Sequence, residues 1–375
     1  MNIDNKEHAI VIGDYSNNTL GVIRSLGEAK ASFFLLLVGA DNGRFVTKSK
    51  YIQKNELYEL GSYDDVPEIL KQVSQRIEGC TLICTCDPAA EYIDGLESEL
   101  SNILKTPMRG KSLSKLLRKS AQCALAQQYG VTVPSFVRYT NNDCIPCLKY
   151  PVLTKPERSN FGSKDDIHVC HNESELSACL LNSPTCRDFI IQSFIQKEYE
   201  VNFLGVANDC GVFITGGIVK KRHFPTVNSA CSYGVFYPLA WHEDQGFCPD
   251  GVLRMIKEIG YKGVFSAEFL KEKEHYYFME VNFRNDGLAY ASTCAGANLV
   301  HLYISNCEPK TERIRQVHMM DLAADFNHVK EGRVSIVTWF VDFVRTKCHL
   351  YVSISDFRPM ATFYLEKLWR KIKAL

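Results

Sequence analysis

The chain has 375 residues, 46% hydrophobic and 23% charged, the mix of a soluble globular protein too long for one ordinary core. Formal net charge is zero, so bulk electrostatics give no reason to expect nucleic acid or an anionic membrane as partner. Fifteen scattered cysteines fit a reducing cytoplasm better than a disulfide framework.

The start, MNIDNKEHAIVIGDY, is polar and then strand-like, unlike a secretory leader, and a cytoplasmic location is expected. Residues 8–13 read as a buried strand, 19–26 as a helix, 33–38 as a second strand, 66–77 as a helix and 81–86 as a third strand. This alternation predicts an open parallel α/β domain. Gly13 and Gly21 do not make a GxGxxG fingerprint, so a dinucleotide site is not expected. Asp14, Asn17, Asn18 and Asp87 sit near the carboxyl ends of the strands, where such sheets open a crevice; each alone is an ordinary turn residue.

Residues 113–129 read as one amphipathic helix ended by Gly130, with Lys115, Arg118 and Lys119 on its polar side. The strand-like VTVPSFVRY follows. Cys144 and Cys147 form a single CxxC, half of what a structural zinc needs. At 150–170 a strand, 151–154, runs into Lys155 and Pro156. A polar turn with Gly162 and Ser163 and a strand, 167–170, come next. A small-residue loop between strands can lay backbone N–H groups over phosphates, although any hairpin needs turn residues. Residues 175–181 read as a helix, 189–195 (FIIQSFI) as a strand, and 201–206 and 211–219 as a strand pair. Lys220, Lys221, Arg222 and His223 then form a basic cluster, and 250–259 is helical.

Residues 263–296 carry the strongest chemical signal. Two strands flank the charged turn KEKEH. Alternation puts Val264, Ser266, Glu268 and Leu270 on one side of the first strand, and Tyr276, Phe278, Glu280, Asn282 and Arg284 on one side of the second. A register centred near Glu274 sets Glu268 opposite Glu280. Facing carboxylates repel, and if buried one stays protonated unless a cation lies between them. A hard cation with oxygen ligands resolves this, with Asn282 adding a neutral oxygen. Arg284 supplies a planar fork for phosphate or carboxylate. A solvated hairpin face is the plain alternative, but the flanking apolar residues argue for a covered sheet. Residues 298–304 read as a helix. From 309 onward the chain is a helix–strand mixture. It ends in a basic amphipathic stretch, LEKLWRKIKAL, expected to pack by its apolar stripe rather than to touch a membrane or a partner. Asp342, Arg345, Lys347 and His349 interrupt 334–354, so no membrane span is expected.

These segments together resemble the ATP-grasp superfamily over residues 111–304. The features that carry the resemblance are Lys119 before GVTVP, the strand-Lys-Pro of PVLTKP, the hinge IIQSFIQKEYEVN, and SAEFL followed by FMEVNFR. The resemblance implies an α/β chain in three parts: an N-terminal open parallel α/β domain (1–108), a two-lobed α+β ATP-grasp domain (109–308, with a mobile lid about 145–192), and a C-terminal α/β extension (309–375). It implies that Lys119 and Lys155 contact ATP phosphates, with Lys155 also near the adenine. The turn with Gly162 and Ser163 would cover the phosphates. Gln192, Phe194 and Ile195 would form the adenine hinge, and Glu198 would hold the ribose. Glu268, Glu280 and Asn282 would bind one or two Mg²⁺ ions, with Mn²⁺ as a substitute. Arg284 would stabilise the transferred phosphoryl group or the acyl phosphate. A cation from Lys220 to Arg222 would face the γ-phosphate or the carboxylate substrate, with the choice left open.

Three positions depart from the family pattern: Phe283 replaces a common Pro, Gln192 replaces a frequent Glu, and the lid turn is bulky and charged apart from Gly162. The implied activity is ATP-dependent ligation of a carboxylate to an amine through an acyl phosphate. A catalytically silent ATP-binding scaffold is the alternative. A carboxylase of the biotin-dependent type is disfavoured because no biotinyl attachment segment is seen. The expected partners are small molecules, a carboxylate and an amine, without nucleic acid; a homodimer stays open.

Overall fold

The computed structural model describes residues 8–39, 43–140, 144–145, 147–158, 166–183, 186–222 and 231–373. The N-terminal part contains β1 (His8–Gly13), α1 (Asn17–Glu28), β2 (Ser32–Val38), β3 (Leu57–Leu60), α2 (Val66–Arg76), β4 (Thr81–Cys84), α3 (Asp87–Gly95) and α4 (Glu97–Leu100). Its four strands are all parallel, in the order β3-β2-β1-β4. The continuous apolar run of β2 now has a cause. Phe33, Leu35 and Leu37 enter one core, and Phe34, Leu36 and Val38 enter another, because both faces of a parallel sheet are covered. Helix α1 starts at Asn17, two residues before the expected position, because the Ser16 hydroxyl accepts from the Thr19 N–H.

Next come α5 (Lys119–Gln128), β5 (Phe136–Thr140), β6 (Val152–Pro156), β7 (His168–Cys170), α6 (Glu173–Asn182) and β8 (Asp188–Ser193). Their four strands form an antiparallel sheet, β5-β8-β6-β7. Here the long helix expected over 113–129 is shortened to ten residues. Its N-terminus is set from outside the local sequence. The Glu157 carbonyl accepts from Lys119 N at 3.0 Å, and the Glu157 carboxylate accepts from Ser120 N at 3.3 Å and from the Ser120 hydroxyl. A cap delivered by a distant strand cannot be read from the helix's own residues.

The largest sheet has seven strands, ordered β13-β12-β9-β10-β11-β14-β15. They are β9 (Tyr199–Ala207), β10 (Val212–Lys220), β11 (Tyr233–Pro238), β12 (Gly263–Glu272), β13 (His275–Asn282), β14 (Val317–Met320) and β15 (Cys348–His349). Helices α7 (Leu239–Asp244), α8 (Asp250–Ile259), α9 (Tyr290–Cys294), α10 (Leu299–Ile304), α11 (Leu322–Lys330), α12 (Ile336–Arg345) and α13 (Phe357–Lys373) complete the order. One face of this sheet buries Val201, Phe203, Phe265 and Phe269 with Val252 and Ile256 of α8. The other face shares Leu204, Val206, Ile218 and Val264 with Leu20 and Ile23 of α1, so one apolar cluster joins the N-terminal sheet to the large one.

The C-terminal residues are fastened by charge as well as by strand pairing. Fully buried Arg24 of α1 donates from Nε to Asp356 Oδ2 at 3.1 Å, and from Nη1 and Nη2 to the Leu350 and Tyr351 carbonyls. Asp356 also accepts from Ser49 Oγ and Lys50 N, both at 2.9 Å. Removing one partner of such a pair strands the other charge in the interior. Asp356→Ala is therefore expected to destabilise the chain by about 3–5 kcal/mol. Urea denaturation checks this, and a loss below about 1 kcal/mol would show that water or rearrangement satisfies Arg24.

Candidate active site

The β12–β13 hairpin contains a break in register that the pleat alone does not announce. From the turn upward, Glu272 faces His275, Lys271 faces Tyr276 and Phe269 faces Phe278. The register then shifts by one residue, so Glu268 faces Glu280 and Ser266 faces Asn282. The extra residue is Met279, a β-bulge. The expected pairing of the two glutamates is present, but strict alternation fails across the bulge. Tyr276 and Phe278 join the apolar core with Phe269, Val281 and Phe283 instead of sharing the face of Glu280.

On that other face the side chains form a polar cluster. Asn282 Nδ2 donates to Glu268 Oε1 and to Ser266 Oγ, each at 3.2 Å. Asn202 of β9, opposite Glu268 in register, donates to Glu268 Oε1 at 3.3 Å and to Asp286 Oδ2 at 3.5 Å. Ser266 Oγ donates to Asp286 Oδ2 at 2.8 Å. Two carboxylates, Glu268 and Asp286, thus gather around two amides and a hydroxyl.

Cations arrive from three directions. Lys119, at the first turn of α5, places Nζ 3.1 Å from Glu280 Oε2. Lys155, buried in β6, acts on the same carboxylate. Lys220, at the end of β10, sits 2.7 Å from Glu200 Oε2, and Lys197 pairs with Oε1 of the same carboxylate. The charges sort the two facing glutamates. Burial pushes the Glu268 carboxyl above its ordinary range, the Glu280 charge adds to this, and Lys220 opposes it. Burial would raise Glu280 too, but Lys119 and Lys155 hold it below the usual range. Burial lowers Lys155, Lys119 lowers it further, and the Glu280 charge counteracts both. For Lys220 the sign reverses: burial lowers it, yet Glu268 and Glu200 raise it above an ordinary lysine.

Arg284 lies two residues past the end of β13, and both sides of its fork meet the Asp87 carboxylate at the start of α3, with Nη2 to Oδ2 at 3.1 Å. Nη1 donates to the Asn285 carbonyl at 3.2 Å and Nη2 to Asn282 Oδ1 at 3.4 Å. Burial alone would lower this guanidinium's pKa; Asp87 chiefly, then Asp286 and Glu268, raise it. Asn285 continues the link. Its N–H donates to the Cys84 carbonyl at 3.1 Å, and Asn18 Nδ2 donates to the Asn285 carbonyl at 2.7 Å. Asn18 and Asp87, each an ordinary turn residue in the sequence, therefore join the β1 and β4 crevice to the hairpin.

The remaining candidates are spread out. Gln192 is buried in β8 between Phe136 and Leu153; its Nε2 approaches Cys123 Sγ at 3.6 Å, and its Oε1 is buried without a partner among the described residues. Phe194 is exposed and Ile195 is buried beside it. Glu198 is exposed at the hairpin turn, where it accepts from Lys273 N at 3.1 Å. Arg222 is engaged elsewhere. Nε and Nη2 contact Asp325 at 3.0 Å each, and Nη2 also meets Asp342 at 3.0 Å. Gly162 and Ser163 lie outside the described residues. Sequence reasoning passed over Glu200, Asn202 and Asp286. A signal was present: Glu200-Val201-Asn202 repeats the triplet Glu280-Val281-Asn282 two strands away in the sheet.

Among the described residues no group of three or more His, Cys, Asp and Glu side chains has the arrangement of a metal site. Glu268 and Glu280 with Asn282 nevertheless make a set of hard oxygen donors that suits Mg²⁺, which takes one or two carboxylates and keeps several waters.

No family model matches the sequence, and no curated protein matches it. Solved structures do. A carboxyaminoimidazole ribonucleotide synthase from Aspergillus clavatus, complexed with ATP, superposes with a TM-score of 0.64 at 13% identity, over 88% of this chain and 87% of that one. The biotin carboxylase domain of a 2-oxoglutarate carboxylase from Hydrogenobacter thermophilus, with MgADP and bicarbonate, gives 0.63 at 15% identity, over 83% and 72%. An L-amino acid ligase from Bacillus licheniformis gives 0.57 at 13% identity, over 81% and 75%. With its parallel N-terminal sheet and large mixed sheet matching these enzymes over most of its length, the chain has the ATP-grasp fold.

Proposed function

We propose that the chain is an ATP-dependent ligase that joins a carboxylate to an amine, with release of ADP and phosphate. The observation that carries this reading is the facing pair Glu268 and Glu280, with Lys119 and Lys155 converging on one of them. Such a cluster has an excess of buried carboxylate at Glu268, which a divalent cation would neutralise. Mg²⁺ bound there would neutralise charge spreading over a transferring phosphoryl group.

In this reading Lys119 and Lys155 hold the phosphates of ATP. Gln192, Phe194 and Ile195 line the adenine site, and Gly162 and Ser163 cover the phosphates. Glu198 holds the ribose. Glu268, Glu280 and Asn282 hold the metal, with Asn202 and Ser266 fixing their orientation. Lys220 is the member of the basic cluster that serves the site, because it lies on the same sheet face as Glu268 and raises no conflict with its neighbours. Arg222 ties α11 and α12 through Asp325 and Asp342 instead. The acid's oxygen attacks the γ-phosphorus as the bond to the bridging oxygen breaks, giving ADP and an acyl phosphate. The amine nitrogen then attacks the carbonyl carbon, phosphate departs, and the ammonium proton is lost. A carboxylate needs this activation because oxide is a poor leaving group and phosphate a good one. Arg284 would stabilise the transferring group, with Asp87 holding its fork in place.

The reading predicts ADP formation only when an acid and an amine are both supplied, and hydroxylamine should trap the acyl phosphate. Glu280→Gln is expected to reduce turnover at least about a hundredfold. Full activity in that variant would remove the metal assignment. ATP binding without turnover across a panel of acids and amines would favour a silent nucleotide-binding scaffold. Arg284→Ala should leave ATP affinity within about threefold while turnover falls at least about a hundredfold. Equal losses of both would assign Arg284 to binding alone.

Glu268 allows a test without substrate. A carboxyl raised in the folded state favours its protonated form. Its ionisation therefore opposes folding at neutral pH, and that opposition disappears as pH falls below the ordinary carboxylate range. Without divalent ions, Glu268→Gln should raise the thermal midpoint at pH 7 by about 2 °C or more, with the gain shrinking towards pH 4. Mg²⁺ with ATP should stabilise the wild type more than this variant. A lower midpoint for the variant at pH 7 would refute the charge assignment.

A further inference from the structure

Most of the large apolar side chains exposed among the described residues lie between positions 336 and 372. On α12 they are Ile336, Val337, Phe340, Val341 and Val344, with Val337 70% and Val344 66% exposed. Their spacing puts them on one side of the helix. The opposite side is already filled: Trp339 stacks on Phe343 with ring centroids 5.5 Å apart and meets Phe326 edge-on at 5.0 Å.

Helix α13 repeats the arrangement. Phe363 anchors it, stacked on Tyr351 at 4.2 Å and edge-on to Phe45 at 5.4 Å. Beyond that anchor Leu365, Leu368, Trp369 and Ile372 recur at helical spacing, and Trp369 is 61% exposed. The apolar stripe expected to pack onto the protein therefore points outward.

Charge around these stripes is mostly positive, although the whole chain is neutral. Exposed Arg345 closes α12 and exposed Lys347 follows it, while at its other end Arg333 pairs with Glu331 at 3.3 Å. The sequence of α13 holds Arg358, Lys367, Arg370, Lys371 and Lys373 against a single acid, Glu366. The two aspartates of this region, Asp342 and Asp356, are buried and neutralised by Arg222 and Arg24. An apolar stripe with Trp, bordered by cations, suits the boundary between acyl chains and acidic head groups. A two-fold pairing of the same helices would set cation against cation.

We infer that α12 and α13 form a docking surface for a membrane leaflet containing acidic lipid, on which the protein lies without spanning it. No helix among the described residues is long and apolar enough to span.

Flotation of the full chain with lipid vesicles tests it. Binding is expected to phosphatidylcholine vesicles carrying roughly three-tenths phosphatidylserine, to be at least about tenfold weaker to phosphatidylcholine alone, and to be released in about 0.5 M salt. Leu368→Glu with Trp369→Glu on α13, and Val337→Glu with Val344→Glu on α12, should each reduce binding at least about tenfold. Circular dichroism and the thermal midpoint should stay those of the wild type, since these positions are exposed. Should either pair disturb the fold, Lys367→Glu with Lys371→Glu keeps both stripes and should still abolish binding to the acidic vesicles. Retained binding in any folded variant, equal binding to both vesicle types, or no flotation would overturn the inference. So would a wild-type dimer that the glutamate variants turn into monomers, since a second copy would then cover these faces.

Discussion

Two carboxylates facing each other across a covered sheet cannot both stay ionised without nearby positive charge, and much of this molecule is arranged around that constraint. Lys119 reaches Glu280 from α5, Lys155 from the four-stranded sheet, and Lys220 stands near Glu268 from the far side of β9. Three separate stretches of chain must therefore be in place before the hairpin face is electrostatically tolerable. The asymmetry that results leaves Glu280 charged and Glu268 inclined to hold a proton. A divalent cation held between them, as proposed, would relieve that asymmetry.

The arrangement also explains why the N-terminal sheet is joined so closely to the hairpin. Arg284 is held by Asp87, and Asn285 by Asn18 and the Cys84 carbonyl. The carboxyl ends of β1 and β4, where an open parallel sheet leaves its crevice, therefore abut the last residues of the acidic strand. An arginine left free beside Asn282 would be a mobile charge; bonded to Asp87 it has one orientation.

Legibility in the sequence followed the physics of each segment. The buried strands were readable because parallel pairing covers both faces, so β1, β2 and β4 appear as apolar runs. The facing of Glu268 and Glu280 was readable from turn position alone. The bulge at Met279 was not, because alternation is blind to an inserted residue, and it moved Tyr276 and Phe278 to the other face. Arg222 illustrates a different gap: a cation beside Lys220 looks like a ligand for an anion until Asp325 and Asp342, a hundred and more positions later, are seen to hold it. The outward stripes on α12 and α13 were hidden for a similar reason. Periodicity shows that a helix has an apolar side but not which way that side turns.

Glu157 concentrates several of these dependencies in one residue. It follows the strand that carries Lys155, and its backbone and carboxylate together start the helix that carries Lys119. That helix is bolted to the acidic strand as well, since Gln122 Oε1 accepts from Val281 N at 2.7 Å. The spacing between the two backbone positions that carry these ammonium groups is thus set by hydrogen bonds. One position that carries neither charge works as their common datum, and chemical change there would detune both lysines together while leaving each of them present.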